Sequence, residues 1–331
     1  MTDPFRIRLL ALASLFSISP LYAGNSLDTS RDDVTTFIAR MEREHGIPAE
    51  ETRSVLSEAE IQPPILEAMR RPAEKVKPWH EYRQIFLTEK RIDAGVEFWR
   101  ENRGELARIS EDTGVPPEII VGILGVETFY GRITGRYRVI DALSTLAFEY
   151  PPRSRFFTSE LEQFLLLARE QGIDPQKATG SYAGAMGGPQ FISSSYRAYA
   201  VDASGDGRVD LWENWTDIMG SVANYFTAHG WEPGGKVVAR ISGDIPANLL
   251  SDGLRLDRDT SSLAEFGIPG EGPQKVMVFE LEAENGPQYW VGYKNFYVIT
   301  RYNRSNMYAM AVYELGRAVR GRREAADNDA G

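Results

Sequence analysis

A glutamate set inside an apolar run is the residue of this sequence best placed to do chemistry. The run is Ile119-Ile-Val-Gly-Ile-Leu-Gly-Val-Glu127-Thr-Phe-Tyr-Gly131. Read as a helix from Pro117 to Tyr130, it places Ile120, Ile123, Leu124 and Glu127 on one stripe, because residues three and four apart share a helix face. Burial disfavours the charged carboxylate, and so does the negative C-terminal end of a helix, so the pKa of Glu127 is expected to rise. A carboxylic acid still protonated near neutral pH is what glycosidic cleavage requires of a general acid. The same position also suits a structural glutamate paired with Arg132 or Arg136, since ion-pair networks perturb pKa values too.

Two further stretches carry chemistry. Asp202-Ala-Ser204-Gly-Asp206-Gly207-Arg208-Val-Asp210-Leu-Trp-Glu213 follows the EF-hand loop at positions 1, 5, 6, 9 and 12, with serine standing at position 3. Calcium takes about six to eight oxygen ligands. Asp202, Ser204, Asp206, the Arg208 carbonyl, Asp210 and a bidentate Glu213 would supply them, and a metal-free Asp/Gly turn is the alternative reading. A single loop points to a structural clip, because calcium sensors pair their loops. The second stretch, Gly180-Ser181-Tyr182-Ala-Gly-Ala-Met186-Gly-Gly-Pro-Gln190-Phe191, is rich in glycine. Its backbone can approach a ligand closely, with hydrogen bonds from Ser181 and Gln190 and ring faces from Tyr182 and Phe191, or it is a tight turn between helices. Tyr225 and Tyr302, taken alone, read as ordinary tyrosines.

Composition narrows the chemistry further. The 331 residues carry 37 Lys+Arg against 47 Asp+Glu, a net charge of -10, which disfavours nucleic acid as a partner. The absence of cysteine removes disulfides, thiolate metal sites and cysteine nucleophiles. His45, His80 and His229 are far apart and sit in no motif, so carboxylate chemistry is what remains.

The elements that must position these residues are mostly helical. Arg6 and Arg8, the apolar run Leu9 to Ser19 and the break at Pro20 to Ala23 read as a secretory leader over 1–23, cleaved after Ala23; an uncleaved interfacial helix is the alternative. Val34, Phe37, Ile38 and Met41 keep helical spacing, and prolines divide the rest of 24–90 into short helices. A helix over Ile92 to Ile109, the Glu127 helix and a helix over Arg155 to Gln171 build a core spanning 91–231. Short β-prone runs after Trp231 form a small β domain over 232–295. Helix signals return over 296–320, and 321–331 reads as a disordered tail. The fold class is α+β, mostly α.

In combination these stretches resemble the membrane-bound lytic murein transglycosylase B family, whose core is similar to goose-type lysozyme and carries an EF-hand loop. The matching segments are Gly-Val-Glu127-Thr-Phe-Tyr-Gly-Arg, Asp141 to Phe157, Gly180 to Phe191, the 202–213 loop, Gly-Ser-Val-Ala-Asn-Tyr225-Phe and Thr300-Arg-Tyr-Asn303-Arg-Ser. They run in the family's order from about Asp28 to about Arg320. The resemblance implies a lysozyme-like helical catalytic core with an N-terminal helical domain and an inserted β domain. It also implies that Glu127 is the single acid/base, that Ser181, Met186, Gln190, Tyr225, Tyr302 and Asn303 bind substrate, and that calcium is structural. The implied reaction cleaves the β-1,4 bond between N-acetylmuramic acid and N-acetylglucosamine and closes a 1,6-anhydro ring.

The implied partners are peptidoglycan glycan strands and, beyond them, other cell-wall enzymes. The sequence departs from the family at two points. The leader lacks a lipid-attachment cysteine, which implies a soluble periplasmic enzyme with no membrane anchor after cleavage, and Ser193 stands where the family has proline. A water-using muramidase remains open, with Asp141 or Glu149 as its second carboxylate, as does a non-catalytic murein-binding protein.

Overall fold

The structure, a computed structural model, describes residues 25–70, 77–267 and 274–329. The leader expected over 1–23 lies outside them. The helices are α1 Asp32–His45, α2 Ala49–Ser57, α3 Pro63–Arg70, α4 Trp79–Gln84, α5 Glu89–Glu101, α6 Arg103–Thr113, α7 Pro117–Thr128, α8 Val139–Glu149, α9 Ser154–Gln171, α10 Ser193–Tyr199, α11 Trp215–Ala228, α12 Lys294–Tyr302 and α13 Asn306–Asp329. The strands are β1 Asn25–Ser26, β2 Glu60–Ile61, β3 Tyr137–Arg138, β4 Thr179–Gly180, β5 Val238–Arg240, β6 Arg258–Asp259, β7 Lys275–Ala283 and β8 Gly286–Gly292. The protein is therefore mostly helical, with small antiparallel sheets. Among the described residues no helix is long and apolar enough to cross a membrane.

Two compact units emerge, and their boundaries differ from those expected of the sequence. One comprises residues 25–70 with 131–221, the other 77–130 with 222–329. The expected N-terminal domain over 24–90 is thus shared between them. In the first unit, α8 is the centre: Val139, Ile140, Leu143 and Leu146 are fully buried. Its polar side chains hold the N-terminal chain, with Asp141 accepting a hydrogen bond from the Glu60 amide at 2.9 Å and Thr145 one from the Gln62 amide at 2.9 Å. The buried Glu160 of α9 accepts from the amide and hydroxyl of Ser194 at 3.0 and 2.7 Å, capping the start of α10. These bonds satisfy donors that burial would otherwise leave at a cost.

In the second unit the central contact joins α7 and α13 almost backbone to backbone. A Cβ placed on Gly122 would lie 2.4 Å from the Val312 carbonyl oxygen, and one on Gly316 would lie 2.0 Å from that of Glu118. The same unit holds a sheet in the order β5-β8-β7-β6. Its β7–β8 hairpin pairs Ala283 with Gly286 across Glu284-Asn285. Val276, Val278 and Val291 pack with Ile241, Leu263 and Tyr293 on one side of the sheet. On the other, Phe279 stacks on Phe296 of α12 at 4.8 Å.

Two expected boundaries are corrected. The stretch over Ile92 to Ile109 is two helices, broken at Asn102, which leaves helical geometry at φ -106° and sends its side-chain amide back to the Phe98 carbonyl at 2.9 Å. The tail expected to be disordered over 321–331 is helical through Asp329. Its cations are anchored: Arg320 pairs with Glu118 at 2.6 Å, Arg322 with Glu89 and Asp93 at 2.5 Å each, and Arg323 lies 4.9 Å from the Trp99 ring. Composition alone does not register partners that lie about 200 residues upstream.

Candidate active site

α7 forms because Pro117 fits a first turn whose amide needs no partner, and every residue from Ile119 to Val126 is buried. The helix ends at Thr128, two residues before the expected end. Phe129, Tyr130 and Gly131 follow in the left-handed region, at φ 52°, 56° and 81°. Such a conformation costs about 1 kcal/mol or more for each non-glycine residue. Packing holds it: Tyr130 stacks on Phe98 at 5.4 Å, and the Arg91 guanidinium lies 4.7 Å from the Phe129 ring. The Leu124 carbonyl accepts from the Tyr130 amide at 3.0 Å and from the Thr128 hydroxyl at 3.3 Å.

This turn fixes Glu127 in the last turn of the helix. The residue keeps part of its surface open, while burial of its carboxyl group pushes the pKa up to about 7. Opposing that rise, the Tyr308 hydroxyl donates to Oε1 at 2.5 Å. Tyr308 is fully buried. The phenols of Tyr308, Tyr302 and Tyr82 are pushed up by burial and then by the charge of Glu127. Tyr225 lies against Tyr302, ring centroids 4.8 Å apart, and its hydroxyl donates to the Arg301 carbonyl at 2.7 Å. The structure thus brings Glu127, Tyr225 and Tyr302 together, and adds Tyr308 and Tyr82, which the sequence reading did not name. Tyr308 carried a signal, being a hydroxyl on a helical stripe with Ala311, Val312 and Leu315, where a buried polar group needs a partner.

Tyr308→Phe removes the bond that favours the charged form, so the pKa of Glu127 should rise further. An acid must be protonated to act, and its activity falls as pH climbs through its pKa. The alkaline limb of kcat/KM should therefore move to higher pH by about 1 unit, given about 1.5–3 kcal/mol for a hydrogen bond to a charged group and 1.4 kcal/mol per unit. A pH–rate profile with a limb unmoved, or moved to lower pH, would refute this.

The Gly180–Phe191 segment lies in the other unit. β4 pairs with β3, and bridges join Gly180 to Met186 and Met186 to Phe191. The Ser181 hydroxyl accepts from the amides of Ala183 and Ala185 at 3.3 and 3.1 Å. Gln190 takes a positive φ of 52°, and its side-chain amide donates to the carbonyls of Thr134 and Gly187 at 3.0 and 2.9 Å. Both residues stay partly exposed. Met186 differs from expectation: its side chain is fully buried, so the structure assigns it to packing beneath the segment rather than to a ligand-facing surface. Asn303 is nearly buried in extended conformation at the end of α12.

The 202–213 loop wraps around Asp202, whose carboxylate accepts from the amides of Gly205, Asp206 and Gly207 and from the Ser204 hydroxyl. Asp206 accepts from the Arg208 amide at 2.9 Å. Asp210 accepts from the Trp212 and Glu213 amides at 2.8 and 3.1 Å. The carboxylates near enough to share an ion, all within 4.8 Å, are Asp202, Asp206 and Asp217. Asp210 and Glu213 lie outside that group. Asp217, four residues past the expected loop, is buried and accepts from the amides of Ser204 and Asp210, both at 3.0 Å. An all-oxygen donor set of this kind fits a hard cation.

The two candidate second carboxylates are engaged within their own unit. Asp141 holds Arg138 at 2.8 Å besides the Glu60 amide, and Glu149 pairs with Arg31.

A family model described as Transglycosylase SLT domain matches residues 29–317. The chain is 45% identical over 296 residues to the membrane-bound lytic murein transglycosylase B of Escherichia coli strain K12, covering 86% of this chain and 81% of that protein. It is similar to the solved lytic transglycosylase SltB1 of Pseudomonas aeruginosa, with 48% identity, a TM-score of 0.84, and 88% of this chain and 98% of that one covered. The Escherichia coli lytic transglycosylase Slt35 in complex with calcium shares 43% identity at a TM-score of 0.82, over 91% and 96% of the two chains. A raised carboxylic acid among phenols on a lysozyme-like helical scaffold agrees with these matches, and the chain belongs to the lytic murein transglycosylases, lyases that cleave the peptidoglycan glycan strand with anhydromuramyl products.

Proposed function

We propose that Glu127 performs both proton transfers of this reaction. Its neutral acid gives a proton to the leaving N-acetylglucosamine oxygen as the glycosidic bond breaks, and the substrate's own acetamide stabilises the anomeric cation. The resulting carboxylate then takes the proton of the muramyl 6-hydroxyl, whose oxygen closes the 1,6-anhydro ring and returns Glu127 to its starting form. The observation that carries this reading is one carboxyl group with its pKa near 7, hydrogen-bonded to a phenol. One group suffices because the nucleophiles belong to the substrate, which gives them the entropic advantage of intramolecular attack. Ser181, Gln190, Tyr225, Tyr302 and Asn303 bind the saccharide through hydrogen bonds and ring faces, without long-range attraction, since protein and polymer are both acidic.

The test is mass spectrometry of muropeptides released from purified sacculi, with Glu127→Gln as control. Products one water lighter than muramidase fragments are expected. Full-mass reducing ends would instead mean water as the nucleophile.

Asp202, Asp206 and Asp217, with the Ser204 hydroxyl and the Arg208 carbonyl, would hold a structural calcium ion, and Asp210 and Glu213 complete the expected loop. Calcium supplies there a fixed positive charge that ties the loop to the start of α11. At calcium about 100-fold above its Kd the melting temperature should rise by about 5 °C over chelator, and Asp206→Ala should abolish the rise. A melting temperature indifferent to calcium would overturn the site. Residues 1–23 act as a cleaved leader that delivers the enzyme to the periplasm.

A further inference from the structure

His229, one residue past the end of α11, belongs to no site described so far, yet it grips a residue proposed to bind the sugar. Its imidazole lies face to face with the Tyr225 ring, centroids 4.0 Å apart and planes 24° apart. Its Nδ1 lies 2.7 Å from the Tyr225 carbonyl oxygen. That oxygen can only accept, so Nδ1 carries the proton. Burial and the nearby Arg301 guanidinium hold the imidazole below its usual pKa, in agreement with a ring that stacks in its neutral form.

On its other side Tyr225 meets Tyr302 at 4.8 Å and 58°, and its hydroxyl is fixed on the Arg301 carbonyl. Three rings therefore stand in series, His229, Tyr225 and Tyr302, and the third is the one whose phenol feels the charge of Glu127. Tyr225 has its hydroxyl fixed at one end and its backbone at the other. Between these two ends the ring's angle is set by the faces it packs against, and the His229 imidazole is the face stacked closest on it, at 4.0 Å, against 4.8 Å for Tyr302 and 6.1 Å for Phe226.

We propose that His229 is a positioning residue for the saccharide site: its ring face, stacked on Tyr225, sets the Tyr225–Tyr302 pair in the arrangement that receives the sugar. The inference rests on the reading that Tyr225 and Tyr302 bind saccharide, and it assigns His229 no part in proton transfer. Losing the stack should loosen ground-state binding while leaving the Glu127–Tyr308 pair as it is.

The experiment measures binding of the soluble fragment NAG-NAM-pentapeptide by calorimetry to the full chain carrying Glu127→Gln, which cannot consume it. His229→Ala should weaken binding about fivefold, the scale of one aromatic pair. His229→Phe restores a ring face without the hydrogen bond and should bind within about twofold of the parent. His229→Asn restores a donor to the Tyr225 carbonyl without the ring and should stay as weak as alanine. In the chain with Glu127 intact, His229→Ala should raise KM with kcat within about twofold. Should the alanine variant fail to fold, the Phe and Asn variants decide, and any order other than tight Phe and weak Asn overturns the proposal. Tyr225→Ala and Tyr302→Ala test the underlying reading. If they too leave binding unchanged, the sugar-binding assignment fails and the inference with it, whereas weakening by those two alone refutes His229 alone.

Discussion

Glu127→Gln is expected to lower release of anhydromuropeptides about 1,000-fold or more, since general acid–base catalysis contributes about 100- to 10,000-fold and the proposed mechanism gives one group both proton transfers. The amide neither gives the proton to the leaving oxygen nor takes one from the 6-hydroxyl. Its shape and its carbonyl oxygen are nearly those of the acid, so Tyr308 keeps an acceptor for the bond it now makes at 2.5 Å. Fold and saccharide binding should therefore survive, with fragment affinity within about twofold of the parent. Turnover on purified sacculi, read by mass spectrometry, beside calorimetric affinity on the soluble fragment, separates the two effects. Turnover within tenfold of the parent would mean that another group carries the proton.

Gly316→Val has the second large effect, on stability. The new Cβ would begin 2.0 Å from the Glu118 carbonyl oxygen, a backbone atom that cannot turn aside. Valine also brings two methyl groups that its stiff χ1 cannot fold away. Relief requires α13 to move off α7, which forfeits the packing of Val312 and Leu315, both fully buried. Overpacking typically costs about 1–3 kcal/mol, and the upper end, about 3 kcal/mol, is expected here. Denaturant unfolding should show the midpoint shifted at unchanged m-value. Because α7 carries Glu127 and α13 carries Tyr308, the variant should also lose activity beyond its loss of folded population. A midpoint equal to the parent's would show that the two backbones do not touch at this point.

How far the sequence foretold this molecule depends on how local each signal is. α1, α7 and α9 were legible because apolar spacing and a proline or glycine terminus lie within each helix. Glu127 stood out for the same reason, since a carboxylate that closes the run Ile-Val-Gly-Ile-Leu-Gly-Val is either buried for its chemistry or paired with a nearby arginine. Tyr308 was not, because its meaning lies in a bond to a residue on another helix. Asp217, whose carboxylate lies with those of Asp202 and Asp206, fell outside the twelve-residue template because it sits four residues beyond the loop's last position. Met186 was named for the segment it sits in, although only the fold decides which way its side chain points. The helical end of α13 was hidden because its cations are solvated by composition and anchored only by tertiary partners. The division into two units follows neither the helical texture nor the β-prone texture, since the chain leaves each unit and returns to it once.

Glu127 and Tyr308 lie 181 residues apart, and the unit that holds both closes only when residues 222–329 join 77–130. Contacts at such separation are slow to form, because the entropy of closing the loop precedes any gain from the contact. A chain emerging from its N-terminus can pack α8 and α9 against each other while Glu127 still lacks both its phenol and its buried setting. On the role proposed for Glu127, the competence to cut a cell wall is therefore deferred until α13 has been made and has docked on α7, and a chain stopped short of α13 lacks the phenol that Glu127 is bonded to.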